Sequence, residues 1–183
     1  MSVTLVLGGS RSGKSRYAES VLLGHPMVTY VAPGAAPDGS DVEWAERISR
    51  HQARRPASWS TQETTELADV IRAADHPVLI DALSTWLTHL IDNIDAWEDR
   101  QTAARHVQKQ TALLLDALGS ATVDVVLVTD EVGLSVVPST TSGRMFRDEL
   151  GRLNAAVSAA CDHVFLVVAG RVLDLSDCPV VGQ

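Results

Sequence analysis

Residues Gly8-Gly9-Ser10-Arg11-Ser12-Gly13-Lys14-Ser15 form an eight-residue glycine-rich segment that restricts the fold more than any other stretch of the chain. The run before it, Val3-Thr4-Leu5-Val6-Leu7, is apolar and β-prone, and the run after it, Arg16 to Leu23, has helical character. Strand, glycine loop and helix in that order build a phosphate-binding loop, or P-loop. Gly8 and Gly13 let the backbone wrap without Cβ clashes, so that successive N–H groups point at phosphate oxygens. Lys14 is placed to reach the β- and γ-phosphates, and Ser15 to hold Mg²⁺ where the helix dipole also favours an anion. A glycine turn matching by chance would lack these flanks.

The rest of the chain suits that start. Apolar runs at 3–7, 27–31, 77–81, 124–129 and 163–168 predict strands, and helical patterns lie near 14–23, 41–54, 64–74, 84–94, 97–118 and 143–160. This alternation predicts an α/β fold, a P-loop NTPase-like, mostly parallel sheet with helices on both faces. With 183 residues, 45% hydrophobic but only 4% aromatic, the core must be Val, Leu, Ala and Ile, which is the usual filling of such a sheet. One domain is expected over residues 1–175, with an aperiodic tail, 176–183, that has the composition of a disordered end. Loops are expected at 33–40 and 133–142.

A formal charge of −8 excludes a broad nucleic-acid footprint. Cys161 and Cys178 stand alone, without metal-ligand spacing, and read as idle thiols of a reducing compartment. No leader segment and no apolar run near ~18 residues is evident, so the expectation is a cytoplasmic protein without a stable membrane insertion.

Ligands of doubly wound sheets bind at the carboxyl ends of the strands. Asp81 ends the run Val78-Leu79-Ile80, where a carboxylate holds Mg²⁺ directly or through water; its alternative is a helix cap, and the strand-end position favours the metal. His51 lies among Arg47, Arg50, Arg54 and Arg55, with Arg47, Arg54 and Arg55 on its face if the helix persists, and Pro56 ending it. Spacing alone favours a solvated basic face with an incidental histidine. The chemical alternative is a histidine nucleophile that attacks an α-phosphorus while arginines stabilise the phosphoryl charge. Trp59, Thr61 and Glu63 are candidates for base contact, Glu63 as acceptor for a guanine edge or equally as a helix-start carboxylate. The turn Thr129-Asp130-Glu131-Val132-Gly133 offers a general base, a metal ligand, or a structural turn with Gly133 at positive φ. Arg144, Arg147, Asp148, Arg152 and Asn154 face either the site or a neighbouring subunit. Leu83, Trp86, Leu87, Leu90 and Ile91 share one buried helical face.

Taken together, these residues resemble the bifunctional adenosylcobinamide kinase/adenosylcobinamide-phosphate guanylyltransferase family, known as CobU or CobP. The resemblance rests on the loop at 8–15, on Arg47-Ile48 with His51, Arg55-Pro56, Trp59, Thr61 and Glu63, and on Asp81 with Leu83, Thr85, Trp86, Leu87 and Thr88. Glu131-Val132-Gly133, Val137-Pro138, Arg144, Phe146-Arg147-Asp148, Gly151-Arg152 and Asn154 extend it in order across about residues 3–175. The family implies ATP- or GTP-dependent phosphorylation of adenosylcobinamide. GTP then guanylylates the histidine matching His51, and GMP passes to adenosylcobinamide-phosphate. Lys14 and Asp81 become catalytic residues with His51, and Ser15 and Asp81 the Mg²⁺ holders. Nucleotide contacts are implied at Gly8, Gly9, Ser10, Arg11, Ser12, Gly13, Lys14, Ser15, Ala32, Pro33, Gly34, Gln52, Ala53, Arg54, Arg55, Glu63 and Asp81. A homotrimer is implied as well. The resemblance reverses the reading of His51. The sequence departs from the family pattern at Ala32-Pro33-Gly34 and at Asp130, where the family usually has asparagine. The rival readings are a monofunctional P-loop small-molecule kinase, a nucleotide-dependent switch or ATPase, and a guanylyltransferase without kinase activity.

Overall fold

The structure, a computed structural model, describes residues 1–34 and 55–181. All five predicted strands form, as β1 (Val3–Gly8), β2 (Thr29–Ala32), β4 (Val78–Asp81), β5 (Val125–Asp130) and β6 (His163–Val168). Two more join them, β3 (Ser60–Glu63) and β7 (Arg171–Asp174). The described helices are α1 (Lys14–Val21), α2 (Leu67–Ala73), α3 (Leu83–Asp92), α4 (Arg100–Gly119) and α5 (Thr141–Ala159), each close to its predicted range. The predicted helix 41–54 lies outside the described residues.

The seven strands make one sheet in the order β3-β2-β4-β5-β1-β6-β7. Every pair is parallel except β6 with β7. The central strands are apolar on both sides because both sides are covered. Alternation along β4 shows how. Val78 and Ile80 pack into one core with Leu67, Ile71, Leu83, Leu87, Leu114 and Leu153, on the face carrying α2 to α5. Leu79, between them, faces the other core, with Val6, Ala18, Leu22, Tyr30 and Val128 under α1. Leu83, Trp86, Leu87, Leu90 and Ile91 are all buried, as the spacing predicts. Full burial of a side chain such as Leu87 contributes about 1.5–3 kcal/mol.

Helix starts follow local chemistry. Asp99 precedes α4 and accepts from the Thr102 N–H at 3.0 Å, the Thr102 hydroxyl at 2.7 Å and the Gln101 N–H at 3.1 Å, which lowers its carboxyl pKa. Thr140 does the same for α5, accepting from Gly143 at 3.1 Å.

The β6–β7 hairpin turns through Ala169 and Gly170, both at positive φ (51° and 73°). Its tip matters for the site, because the Gly170 N–H donates to the Ser12 carbonyl at 2.9 Å and braces the glycine loop from outside. Beyond β7, residues 176–181 form neither helix nor strand, although the Ser176 hydroxyl accepts from the Val164 N–H at 3.1 Å. None of the described helices is long and apolar enough to cross a membrane.

Candidate active site at the carboxyl edge of the sheet

β1 delivers the glycine loop to the edge. A Cβ on Gly8 would stand 2.5 Å from Ser12 Oγ and 2.6 Å from the Val167 carbonyl, so no other residue fits without displacing backbone. The loop closes through Ser12 N–H to the Gly9 carbonyl at 3.3 Å. It passes left-handed φ values at Arg11 (55°) and Gly13 (103°). Gly13 precedes α1 without a side chain to cap it, and the Lys14 N–H makes only a long 3.4 Å contact with Ser12 Oγ, so the start of that helix favours an anion. Lys14 is buried at the start of α1, with Nζ donating to the Gly9 carbonyl at 3.3 Å, and Ser15 beside it is half-buried. The predicted loop residues therefore gather in one turn that leads into the start of α1.

Three carboxylates reach the same edge. Register places Asp130 opposite Gly8 of β1, and Asp81 opposite Val128 of β5. Asp130 pairs with Lys14, Oδ1 to Nζ, at 2.6 Å, and its other oxygen accepts from the Ser84 hydroxyl. Asp81 Oδ2 accepts from the Tyr30 hydroxyl at 2.9 Å. Glu131 turns away, accepting from the Gly133 N–H at 2.5 Å. The alternative of a turn with Gly133 at positive φ does not hold: among the described glycines only Gly13 and Gly170 have one.

Tyr30 joins two parts of the edge. Its ring lies in the α1-side core and its hydroxyl meets Asp81, while the Arg55 guanidinium stacks over the ring at 3.6 Å from the centroid. Burial first, and then the Asp81 charge, push the phenol pKa well above its ordinary value. Tyr30 is thus a neutral donor that orients a carboxylate. Arg55 also donates to the Thr61 hydroxyl at 3.1 Å.

The other sequence candidates divide. Ala32, Pro33 and Gly34 lie at the end of β2, and Gly34 packs so closely that a Cβ there would stand 3.1 Å from Thr85 Cγ2 and 3.3 Å from His89 Nε2. Glu63 ends β3, exposed, beside Ala32 in register, and is not a helix-start residue. Trp59 is buried in the core with Tyr30. Asn154 supports the site, donating from Nδ2 to the Asp130 carbonyl at 3.0 Å while its Oδ1 accepts from Thr129 Oγ1 at 2.7 Å. Arg144 instead ties down its own loop through the Pro138 and Ser139 carbonyls, Asp148 pairs with Arg100, and Arg152 with Glu149. Trp86 is core, its indole N–H donating to the Thr65 carbonyl at 2.8 Å. His51, Gln52, Ala53, Arg54, Arg47 and Arg50 lie outside the described residues. Tyr30 and Ser84 are the site residues that sequence reasoning missed. The signals were a hydroxyl-bearing residue inside an apolar strand and a small hydroxyl three positions after Asp81.

Among the described residues no three His, Cys, Asp or Glu side chains cluster as an all-protein metal site. Magnesium at a phosphate loop needs less: one hydroxyl, one carboxylate, phosphate oxygens and water. Ser15 at the helix start and Asp81, held by a neutral donor, fit that set.

A central parallel strand that runs through a glycine cradle into an uncapped helix, with lysine and strand-end carboxylates at its mouth, defines a P-loop nucleotide-binding protein. A likeness of fold agrees with this: an ATPase of the type III secretion system of pathogenic bacteria superposes with a TM-score of 0.58 at 11% identity. The match covers 90% of this chain and 50% of that one, so the chain spans half the length of this structural neighbour. The profile of the CobU family, cobinamide kinase / cobinamide phosphate guanyltransferase, matches residues 4–175, and the chain belongs to that family. It is 37% identical over 176 residues to the bifunctional adenosylcobalamin biosynthesis protein CobU of Salmonella typhimurium, covering 91% of this chain and 95% of the relative. It is 38% identical over 181 residues to the bifunctional adenosylcobalamin biosynthesis protein CobP of Pseudomonas aeruginosa, covering 96% and 98%. The chain is accordingly a transferase of phosphorus-containing groups acting in cobalamin biosynthesis.

Proposed function

We propose that one nucleotide site at this edge serves both reactions, with His51 as the covalent nucleophile of the second. In the kinase step the aminopropanol hydroxyl oxygen of adenosylcobinamide bonds to the γ-phosphorus of a nucleoside triphosphate. The bond to the β–γ bridging oxygen breaks, the diphosphate leaves and the hydroxyl gives up its proton. In the second step a ring nitrogen of His51 bonds to the α-phosphorus of GTP, pyrophosphate leaves, and the imidazole loses its N–H proton. A phosphate oxygen of adenosylcobinamide-phosphate then takes the GMP, the P–N bond breaks, and adenosylcobinamide-GDP forms.

The chain's residues have separable tasks. The loop N–H groups and the open first turn of α1 orient the triphosphate, and Lys14 meets its charge. His51 must be neutral to attack, and cationic neighbours such as Arg47, Arg54 and Arg55 favour the neutral ring. Mg²⁺ held by Ser15 and Asp81 would offset charge on the transferring phosphoryl group. Ala32 to Gly34, Gln52, Ala53 and Glu63 complete the nucleotide contacts.

The observation that carries this reading is the Arg55–Tyr30–Asp81 linkage. Arg55 follows, in sequence, the segment bearing His51, and its stacking on Tyr30, the donor to Asp81, supports a shared site. The family match over 4–175 supports a single catalytic unit spanning about 1–175. The resemblance supports a cytoplasmic homotrimer, which sedimentation equilibrium would test. With α-labelled GTP and Mg²⁺ the protein should acquire acid-labile, base-stable label. Label persisting in His51→Ala would sink the nucleophile assignment.

A further inference from the structure

We infer that Asp130 is the resident counter-ion of the loop lysine, holding the place of a phosphate until a nucleotide displaces it, and that it thereby sets nucleotide affinity. The inference rests on the reading of this edge as a triphosphate site.

The Lys14 side chain is only 6% exposed, and an ammonium so enclosed requires an anionic partner. Asp130 supplies it at 2.6 Å. The carboxylate is fixed from several sides. Ser84 donates to its second oxygen, Asn154 holds its backbone carbonyl at 3.0 Å, and the Glu131 N–H that follows donates to the Gly8 carbonyl at 3.1 Å. Glu131 does not compete for the lysine, because its own carboxylate is engaged by Gly133.

A triphosphate needs the same ammonium. Two anions on one cation in a partly enclosed site repel each other, so nucleotide entry must break or share the Lys14–Asp130 pair. Removing one partner of such a pair leaves the other charge exposed to whatever ligand arrives. Asp130 is 29% exposed, so the released carboxylate meets some water, and Ser84 remains as its donor. The pair therefore closes the cradle reversibly and opposes binding without blocking it.

The test uses Asp130→Asn, which keeps shape and a hydrogen-bond acceptor for Ser84 but removes the charge. Binding of ATP and of GTP is measured by calorimetry with chelator present and again with Mg²⁺. The expected result is tighter binding in both conditions by about tenfold, the low end of what giving up one hydrogen bond between charged groups costs. In a Lys14→Met background the same substitution should change binding far less. Asp130→Ser, which also removes the charge, should shift affinity in the same direction, and melting without nucleotide checks that each variant is folded. Unchanged or weaker binding in chelator would overturn the inference. So would weakening only with Mg²⁺, which would make Asp130 a metal ligand, and so would undiminished tightening in Lys14→Met. If the unaltered protein binds neither nucleotide, the reading of the edge fails; if it binds both and Asp130→Asn does not tighten, the counter-ion role alone fails.

Discussion

Replacing Tyr30 by phenylalanine removes one oxygen and leaves the ring under Arg55. The lost contact is the 2.9 Å hydrogen bond to Asp81 Oδ2. A hydrogen bond to a charged group contributes about 1.5–3 kcal/mol when neither partner finds water. Asp81 is half-buried, so water replaces part of it and the stability loss should fall below that range, at ~1 kcal/mol. For a chain of this size that lowers the melting temperature by roughly 2–4 °C. Catalysis should suffer more, because a carboxylate that has lost its Tyr30 donor shifts from the position the proposed Mg²⁺ site needs. A loss of roughly tenfold in kcat, equivalent to about 1.4 kcal/mol, is expected in both transfer steps. The Mg²⁺ concentration for half-maximal rate should rise, while nucleotide KM changes little. Tyr30→Leu also removes the cation–π contact and should cost about a further 0.5–1 kcal/mol of stability. The fold favours the neutral phenol, raised from its ordinary 10.0 by burial first and by Asp81 second. That contribution is whole below the unfolded value and is lost as pH rises toward the folded one, so Tyr30→Phe should flatten the alkaline fall in melting temperature above pH ~10. Unchanged rates and Mg²⁺ requirement in Tyr30→Phe would refute the positioning argument.

Other substitutions probe the cradle and the core. Gly8→Ala drives a methyl group against Ser12 Oγ and the Val167 carbonyl, and should destabilise by about 1–3 kcal/mol with loss of nucleotide binding, read by melting with and without GTP. Leu87→Ala, at a fully buried position, should lower stability by about 2–5 kcal/mol in denaturant titration while leaving nucleotide KM unchanged in the folded fraction. Burial pushes the Cys161 thiol up to about 12, so a neutral-pH alkylating agent should modify exposed Cys178 first and Cys161 only on unfolding, as peptide mapping would show.

The glycine loop and the central strands were legible because their signals are local. Gly8 and Gly13 are demanded by backbone approach and positive φ, and β1, β4 and β5 are apolar on both faces. β3 was not legible: Ser60-Thr61-Gln62-Glu63 is polar and exposed throughout, and it is a strand only because β2 offers it an edge. β7 was missed for a related reason, being exposed and joined through Ala-Gly, a weaker hairpin signal than Asn-Gly. The site's carboxylates could be read from their strand ends, but their partners could not. Tyr30 meets Asp81 across 51 positions and Asp130 meets Ser84 across 46, distances that only the parallel register closes. The burial of Trp59 was not legible either, because an aromatic beside polar strand residues looks available, whereas the fold packs it against Tyr30.

The central claim is that one site performs both transfers. Mass spectrometry of the products formed from adenosylcobinamide with ATP, GTP and Mg²⁺ tests it most directly, run in parallel on Lys14→Ala. The account predicts adenosylcobinamide-phosphate followed by adenosylcobinamide-GDP from the unaltered protein, and neither from the variant. Either transfer surviving intact in Lys14→Ala would contradict it.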